Sequence, residues 1–154
     1  MRKQKVTISV IGSHDAVGKK ARKAYQVGAL IAELGAVLVC GGLGGVMEQA
    51  AKGAQEHGGL TIGILPGKDK KDANPYIDLA LPTSIGYARN CFVASCADIV
   101  VALEGSYGTN CEICYGLVFK RPVIDLGGWG IKGMIKVRNM AQLRQKIQCL
   151  MNNL

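Results

Sequence analysis

Apolar residues in this chain fall into two alternating rhythms. Val6 to Ile11, Val37-Leu38-Val39-Cys40, Leu60 to Leu65, Ile99 to Leu103 and Val123 to Leu126 are short, mostly continuous apolar runs. They have the length and β-branched content of buried strands. Between them the spacing turns helical. Val17, Ala21, Ala24, Val27, Ile31 and Leu34 form a stripe that predicts a helix from about Val17 to Leu34, stopped by Gly35. Met47, Ala50, Ala51 and Ala54 share a second helical face. Further helices are expected at about Gly86 to Cys96, Thr109 to Phe119 and Asn139 to Met151, with a short strand at Ile77 to Leu81.

Buried strands separated by helices of this length call for a mostly parallel sheet with helices on both faces. The expectation is an α/β fold, a single Rossmann-like three-layer α/β/α domain over residues 1–154. Ligands of such sheets bind outside the carboxyl ends of the strands, at the switch point. Gly12-Ser13, Gly41 to Gly45, Pro66-Gly67 and Gly105 to Thr109 all follow predicted strands and should share that edge. The polar segment Lys68 to Pro75 is the candidate mobile loop, and Trp129 a packed lid residue.

Composition narrows the partners. No stretch approaches the ~20 apolar residues needed to cross a bilayer. The opening MRKQKVTISVIGSHD has a basic start, but its apolar run is short and broken by Thr7 and Ser9. It reads as the first strand of a cytoplasmic protein rather than a leader. The net charge of +8 suits an anionic ligand. The cations are scattered, with Lys19, Lys20, Arg22 and Lys23 on one helix and Lys68, Lys70 and Lys71 in a loop, and no aromatic ladder accompanies them. Neither nucleic acid nor membrane is therefore expected as a partner. The six cysteines include Cys111-x-x-Cys114, which lacks a second pair at zinc spacing. They are read as small buried hydrophobes in a reducing compartment, and no metal site is expected.

The glycine turns fail two familiar templates. Five residues, not four, separate Gly12 from Gly18, and Lys20 stands where a Ser or Thr should hold magnesium, so the first turn is no P-loop. Gly42-Leu43-Gly44 begins like a dinucleotide fingerprint, but Met47 takes the third glycine position. What remains is two glycine-rich turns that each open a helix, and free N–H groups at helix starts receive anions. Thr109 falls at the expected N-cap with Glu112 three residues on. That spacing fits a capping box and a ligand role equally well.

Read together, CGGLGGVMEQAAKGAQEHGGLTIGILPG, GYARNCFVASCADIVVALEGSYGTNCEICYGLVFKRPVI and the opening VIGS resemble the LOG family. Its members were long labelled lysine decarboxylases and include the cytokinin-activating phosphoribohydrolases. The resemblance runs from about residue 6 to 126. Its most specific element, Pro-Gly-Gly-x-Gly-Thr-x-x-Glu, falls on Glu104-Gly105-Ser106-Tyr107-Gly108-Thr109-Asn110-Cys111-Glu112, and a family arginine falls on Arg89. In the family's hydrolases this arginine and glutamate are the catalytic pair, which releases the base of a nucleoside 5′-monophosphate. Cleavage of that kind develops positive charge on the ribose, which a carboxylate stabilises. A guanidinium grips phosphate or ribose oxygens in a fork. The resemblance also implies homo-oligomers, dimers or tetramers, with helices at the interface.

Three positions depart from the hydrolase pattern. Glu104 replaces the motif's proline, Ser106 its second glycine, and Asn90 the lysine that follows the arginine. Arg89-Asn90, the short chain and Gly44-Gly45-Val46-Met47-Glu48 instead resemble a sister branch, the molybdenum cofactor carrier proteins. These hold an anionic pterin phosphate in the same crevice. The leading expectation is carrier-like binding of a small anionic phosphorylated ligand, with no cofactor required and molybdenum cofactor or a nucleoside monophosphate as the bound molecule. A phosphoribohydrolase and an interaction module with a degenerate pocket are the alternatives. Expected ligand-binding residues are Gly12, Ser13, Gly41, Gly42, Gly44, Gly45, Pro66, Gly67, Arg89, Asn90, Gly105, Ser106, Tyr107, Gly108, Thr109 and Glu112, with Arg89 and Glu112 catalytic only in a hydrolase. Lysine decarboxylation finds no support, because no lysine has the setting of a Schiff-base residue.

Overall fold

The structure is a computed structural model that describes residues 4–154, so the first three residues of the expected domain lie outside the described residues. Its strands are β1 (Thr7–Ile11), β2 (Val37–Cys40), β3 (Thr61–Leu65), β4 (Leu79–Pro82), β5 (Ile99–Ala102), β6 (Val123–Asp125) and β7 (Ile135–Lys136). They form one sheet in the order β4-β3-β2-β1-β5-β6-β7. Every neighbouring pair is parallel, which goes beyond the mostly parallel sheet expected. β7, two residues long, is too short for any periodicity to announce.

The α-helices are α1 (Lys19–Glu33), α2 (Val46–Glu56), α3 (Asn90–Ser95), α4 (Tyr107–Val118) and α5 (Met140–Met151). Alternate residues of each strand face opposite layers. Ile8 and Val10 of β1, Leu38 of β2 and Ile99 and Val101 of β5 pack with Ala24, Val27 and Ile31 of α1 and Leu143 and Ile147 of α5. Ile11, Val39, Val100 and Ala102 pack the other way, against Val93 of α3 and Ile113 of α4. All four residues of β2 and of β5 are buried, as continuous apolar runs require.

Four boundaries differ from the sequence reading, the first being β4, which runs Leu79–Pro82 rather than Ile77 to Leu81. α1 begins at Lys19 after Gly18, whose φ of 57° ends the preceding turn, and Val17 lies outside the helix at 83% exposure. The helix expected from Gly86 splits into a 3₁₀ turn, Gly86–Arg89, followed by α3. α4 starts two residues before Thr109, with Ser106 at its N-cap and no side-chain cap. The Thr-x-x-Glu capping box is therefore absent. Gly105 lies so close to Thr109 that a Cβ there would meet Oγ1 at 2.1 Å, so the turn before α4 packs tightly on its first turn. No helix among the described residues is long and apolar enough to cross a membrane.

The cysteine expectation also fails. Cys40 is buried, but Cys96, Cys111, Cys114 and Cys149 are exposed and Cys91 is intermediate, all as free thiols. Apolar character on α3 and α4 extends to their outward faces, so apolar neighbours in sequence do not mark a buried thiol there.

Candidate functional site

In a parallel sheet the four expected turns must emerge at one edge, and direct hydrogen bonds bind them there. β1 is the switch point, with β2 on one side and β5 on the other. The Ser13 N–H donates to the Glu104 carbonyl at 2.9 Å, which joins the turns after β1 and β5. The Val46 N–H donates to the Ser13 carbonyl at 2.8 Å, which adds the turn after β2. Ser13 thus joins the three turns at this edge, with Gly12 packed against the Val46 side chain and Gly44 and Gly45 in the turn after β2. Gly45 has φ of 66°, and a Cβ there would overlap the His14 backbone at 2.3 Å, so no side chain fits.

Pro66 and Gly67 act one step further back. Their carbonyls accept the N–H groups of Gly86 at 3.0 Å and Ser84 at 2.9 Å, which anchors the 3₁₀ turn that ends at Arg89. Arg89 is 6% exposed. Its Nη2 donates to the Gly41 carbonyl at 3.3 Å, its Nη1 donates to Asn90 Oδ1, and its Nε has no acceptor. Gly41 leaves room for the arginine, because a Cβ would lie 2.6 Å from Arg89 Nη2 and 2.7 Å from Met47 Sδ and would displace both side-chain ends. Asn90 Nδ2 reaches the Gly108 carbonyl at 3.5 Å, so this asparagine bridges the arginine and the turn after β5.

That last turn is the open one. Gly105, Ser106 and Tyr107 are exposed, whereas Gly41 and Gly42 are buried beneath. Ser106 has φ of −125°, so the glycine it replaces is not needed for backbone strain. The Asn110 N–H is bonded to the Ser106 carbonyl at 3.0 Å. The amides of Tyr107, Gly108 and Thr109 precede it in the first turn, where a helix has no internal acceptor to offer. A phosphate oxygen is well matched to such amides, and the guanidinium fork stands beside them.

Glu112 lies 6% exposed on α4, with Oε1 3.9 Å from Arg89 Nη1. That separation is too long for a hydrogen bond. Burial raises its pKa to about 8, only partly opposed by Arg89, so the protonated form is favoured relative to an exposed glutamate. Burial also lowers the pKa of Arg89, with Glu112 and Cys40 opposing. An arginine nevertheless keeps its charge. Beneath the pair, Cys40 Sγ receives the Gly42 N–H at 3.4 Å, and burial pushes its thiol up to about 12, making it an inert neutral floor.

Glu104, an anion at the motif's proline position, directs its Oε1 toward α1. Its Oε1 accepts from Lys23 Nζ of α1 at 2.7 Å. Burial acts to raise its pKa, but the Lys23 hydrogen bond, a backbone hydrogen bond and the charges of Lys23 and Lys20 together outweigh this, and the net shift is downward. The anion is thereby neutralised from the α1 side.

Two residues at this edge escaped the sequence reading. Asp125, buried at the end of β6, accepts the N–H groups of Gly128, Trp129 and Gly130 at 2.8, 3.0 and 2.8 Å. Trp129 Nε1 then bonds the Leu103 carbonyl at 2.8 Å, so the loop after β6 braces the turn after β5. An acid that closes a buried strand before Gly-Gly-Trp-Gly was the available signal. Asn74 donates its N–H to the Gly42 carbonyl at 2.9 Å and its Nδ2 to that of Leu43 at 2.8 Å, which tethers the end of the 68–75 loop to the turn after β2.

Two sizeable clefts lie elsewhere. One of about 350 Å³ runs between α1, His57 and α5, and one of about 550 Å³ between β7 and α5. The candidate site thus rests on converging turns and charge, not on cavity size.

Known proteins share this fold. The molybdenum cofactor binding protein of Rippkaea orientalis is 34% identical, with a TM-score of 0.73 covering 99% of this chain and 86% of that one. The molybdenum cofactor carrier protein of Chlamydomonas reinhardtii is 30% identical, with a TM-score of 0.87 covering 97% of this chain and 99% of that one. An uncharacterized protein of Archaeoglobus fulgidus is 46% identical over 119 residues, 77% of this chain and 78% of its own. DNA processing protein A of Helicobacter pylori, 17% identical with a TM-score of 0.73 over 94% of this chain and 80% of that one, shares the fold alone. The pattern of the SLOG cluster4 family extends over residues 5–152, and with it the whole sheet and every turn described above: the chain belongs to the SLOG cluster4 family.

Proposed function

We propose that this protein binds a small anionic, phosphorylated, nucleotide-like ligand at the carboxyl edge of its sheet and works as a carrier of the molybdenum cofactor type, with the ligand as cargo. The observation that carries this reading is the state of Arg89. A buried guanidinium with a free Nε stands 3.9 Å from the Glu112 carboxyl, too far for a hydrogen bond, and burial disfavours the ionised form of that acid. A buried charge of that kind is costly until an anion arrives. Phosphate oxygens would meet the Arg89 fork, the first amides of α4 and the Thr109 hydroxyl. The likeness to a molybdenum cofactor binding protein and a carrier protein supports the same reading.

Hydrolysis fits less well. A glutamate that steadies a ribosyl cation must be ionised, and the burial of Glu112 disfavours that form. Incubation with AMP and related monophosphates separates the two readings. We expect no free base, and a bound pterin that becomes fluorescent on oxidation when the protein is purified from cells that make molybdenum cofactor. Base release that disappears in Glu112→Gln would overturn the carrier reading.

The same layer supports self-association. Phe92, Val118 and Phe119 are 46%, 72% and 51% exposed, and α3 and α4 carry no charged residue except buried Glu112. With a net charge of +8, two copies repel least where they meet through an uncharged surface. A second copy is therefore the occupant we assign to the α3–α4 face.

A further inference from the structure

The charge of the chain's last section is one-sided. From Leu126 to Leu154 there is no aspartate or glutamate, while Lys132, Lys136, Arg138, Arg144 and Lys146 are all cationic. Arg144 pairs with Glu33 of α1. Lys136, Arg138 and Lys146 instead line the cleft of about 550 Å³ between β7 and α5, together with Gln142, Gln145 and Cys149. None of the three is in an ion pair among the described residues.

We propose that this cleft is a second anion site, separate from the one at Arg89, and that it takes a polyphosphate group. Its volume falls within the ~300–1,000 Å³ of small-molecule sites. Three cations drawn from a strand, a loop and a helix repel one another across a concave surface, and Lys146 is half-buried there. A multiply charged anion removes that repulsion and collects three attractions at once, which a single phosphate does less well. Gln142 is engaged, its Oε1 accepting the Arg138 N–H at 2.8 Å, which holds the loop cation against the helix. Gln145 adds a neutral amide. The lining contains no aromatic residue, so nothing stacks on a base, and the phosphates alone are recognised.

Calorimetric titration of the intact protein with sodium tripolyphosphate at low salt tests the site. Binding should survive in Arg89→Gln and weaken about tenfold or more in the triple variant Lys136→Gln, Arg138→Gln, Lys146→Gln. A control triple, Lys68→Gln, Lys70→Gln, Lys71→Gln, removes the same charge from the loop after β3 and should bind as the wild type does. ATP should bind no more tightly than tripolyphosphate. Site-resolved alkylation by iodoacetamide gives a second readout: tripolyphosphate should slow the reaction at Cys149 and leave Cys111 and Cys114 unchanged. Any of four results would overturn the site: no saturable binding to the wild type, unchanged affinity in the 136/138/146 variant, equal weakening in the control triple, or loss of all binding in Arg89→Gln.

Discussion

α1 and α2 meet backbone to backbone. A Cβ on Gly28 would lie 1.9 Å from the Ala50 carbonyl oxygen, and one on Gly53 would lie 2.0 Å from that of Tyr25. Outside that seam α1 carries Lys19, Lys20, Arg22 and Lys23. α3 and α4, on the opposite side of the sheet, also pack together, yet they turn Phe92, Val118, Phe119 and two thiols outward and keep their single carboxyl, Glu112, inside. A layer that ends in water needs charge on its surface. The α3–α4 layer reverses this, and it is also the layer that holds Glu112 and follows directly from Arg89. In the proposed reading, the ligand and the second copy therefore belong to one side of the molecule.

The largest effect should come from the closed layer. Gly28→Val places a branched side chain where the Ala50 carbonyl sits, so the helices must separate. We expect a loss of about 3 kcal/mol or more, read by urea denaturation. Val118→Glu, on the open layer, should change monomer stability by no more than about 0.5 kcal/mol. Similar losses at both positions would erase the contrast.

Next in size is Arg89→Met, which keeps the stem and removes the charge. Loss of charge-assisted hydrogen bonds should weaken binding of a nucleoside monophosphate roughly ten- to a hundredfold, while the melting temperature holds or rises. Unaltered affinity would show that the α4 amides suffice without the guanidinium.

Self-association comes third. Light scattering should find the wild type larger than a monomer and Val118→Glu shifted toward monomer, because the substitution buries a charge in an apolar contact. A monomeric wild type at micromolar concentration would mean that the exposed face has another purpose.

The last test concerns pH. The folded-state pKa of Glu112, about 8, lies above its ordinary value of 4.5, so the folded protein holds the extra proton between them. The contribution of this group to stability is full below the lower value, declines as pH rises toward the upper one, and is flat beyond it. Glu112→Gln should remove that decline from denaturation curves measured across the window. Ionised Glu112 also competes with a ligand for Arg89, so anion affinity should fall above pH 8 in the wild type and not in the variant.

Much of the fold could be read from the residues. The unbroken apolar runs of β2 and β5 announced strands covered on both sides, and Gly35, with φ of 73°, ended α1 where expected. Signals weakened where a contact from elsewhere decided the outcome. Thr109 and Glu112 have capping-box spacing, yet α4 starts at Tyr107 and Thr109 lies within its first turn, packed against Gly105. Cys111 and Cys114 sit among apolar neighbours, but the face they occupy points outward. Asp125 looked like an ordinary strand end until three loop amides closed on it.

Local sequence was enough to establish the alternation of strand and helix, the parallel sheet, and therefore that the glycine turns share an edge, because periodicity and the short reach of each connection are local properties. The chemistry at that edge came from three-dimensional packing. Whether Glu112 is ionised depends on how completely neighbouring elements exclude water from it. Whether Glu104 blocks the site depends on Lys23, a residue 81 positions away that holds it aside. Protonation and pairing of this kind are set by surroundings assembled from distant parts of the chain.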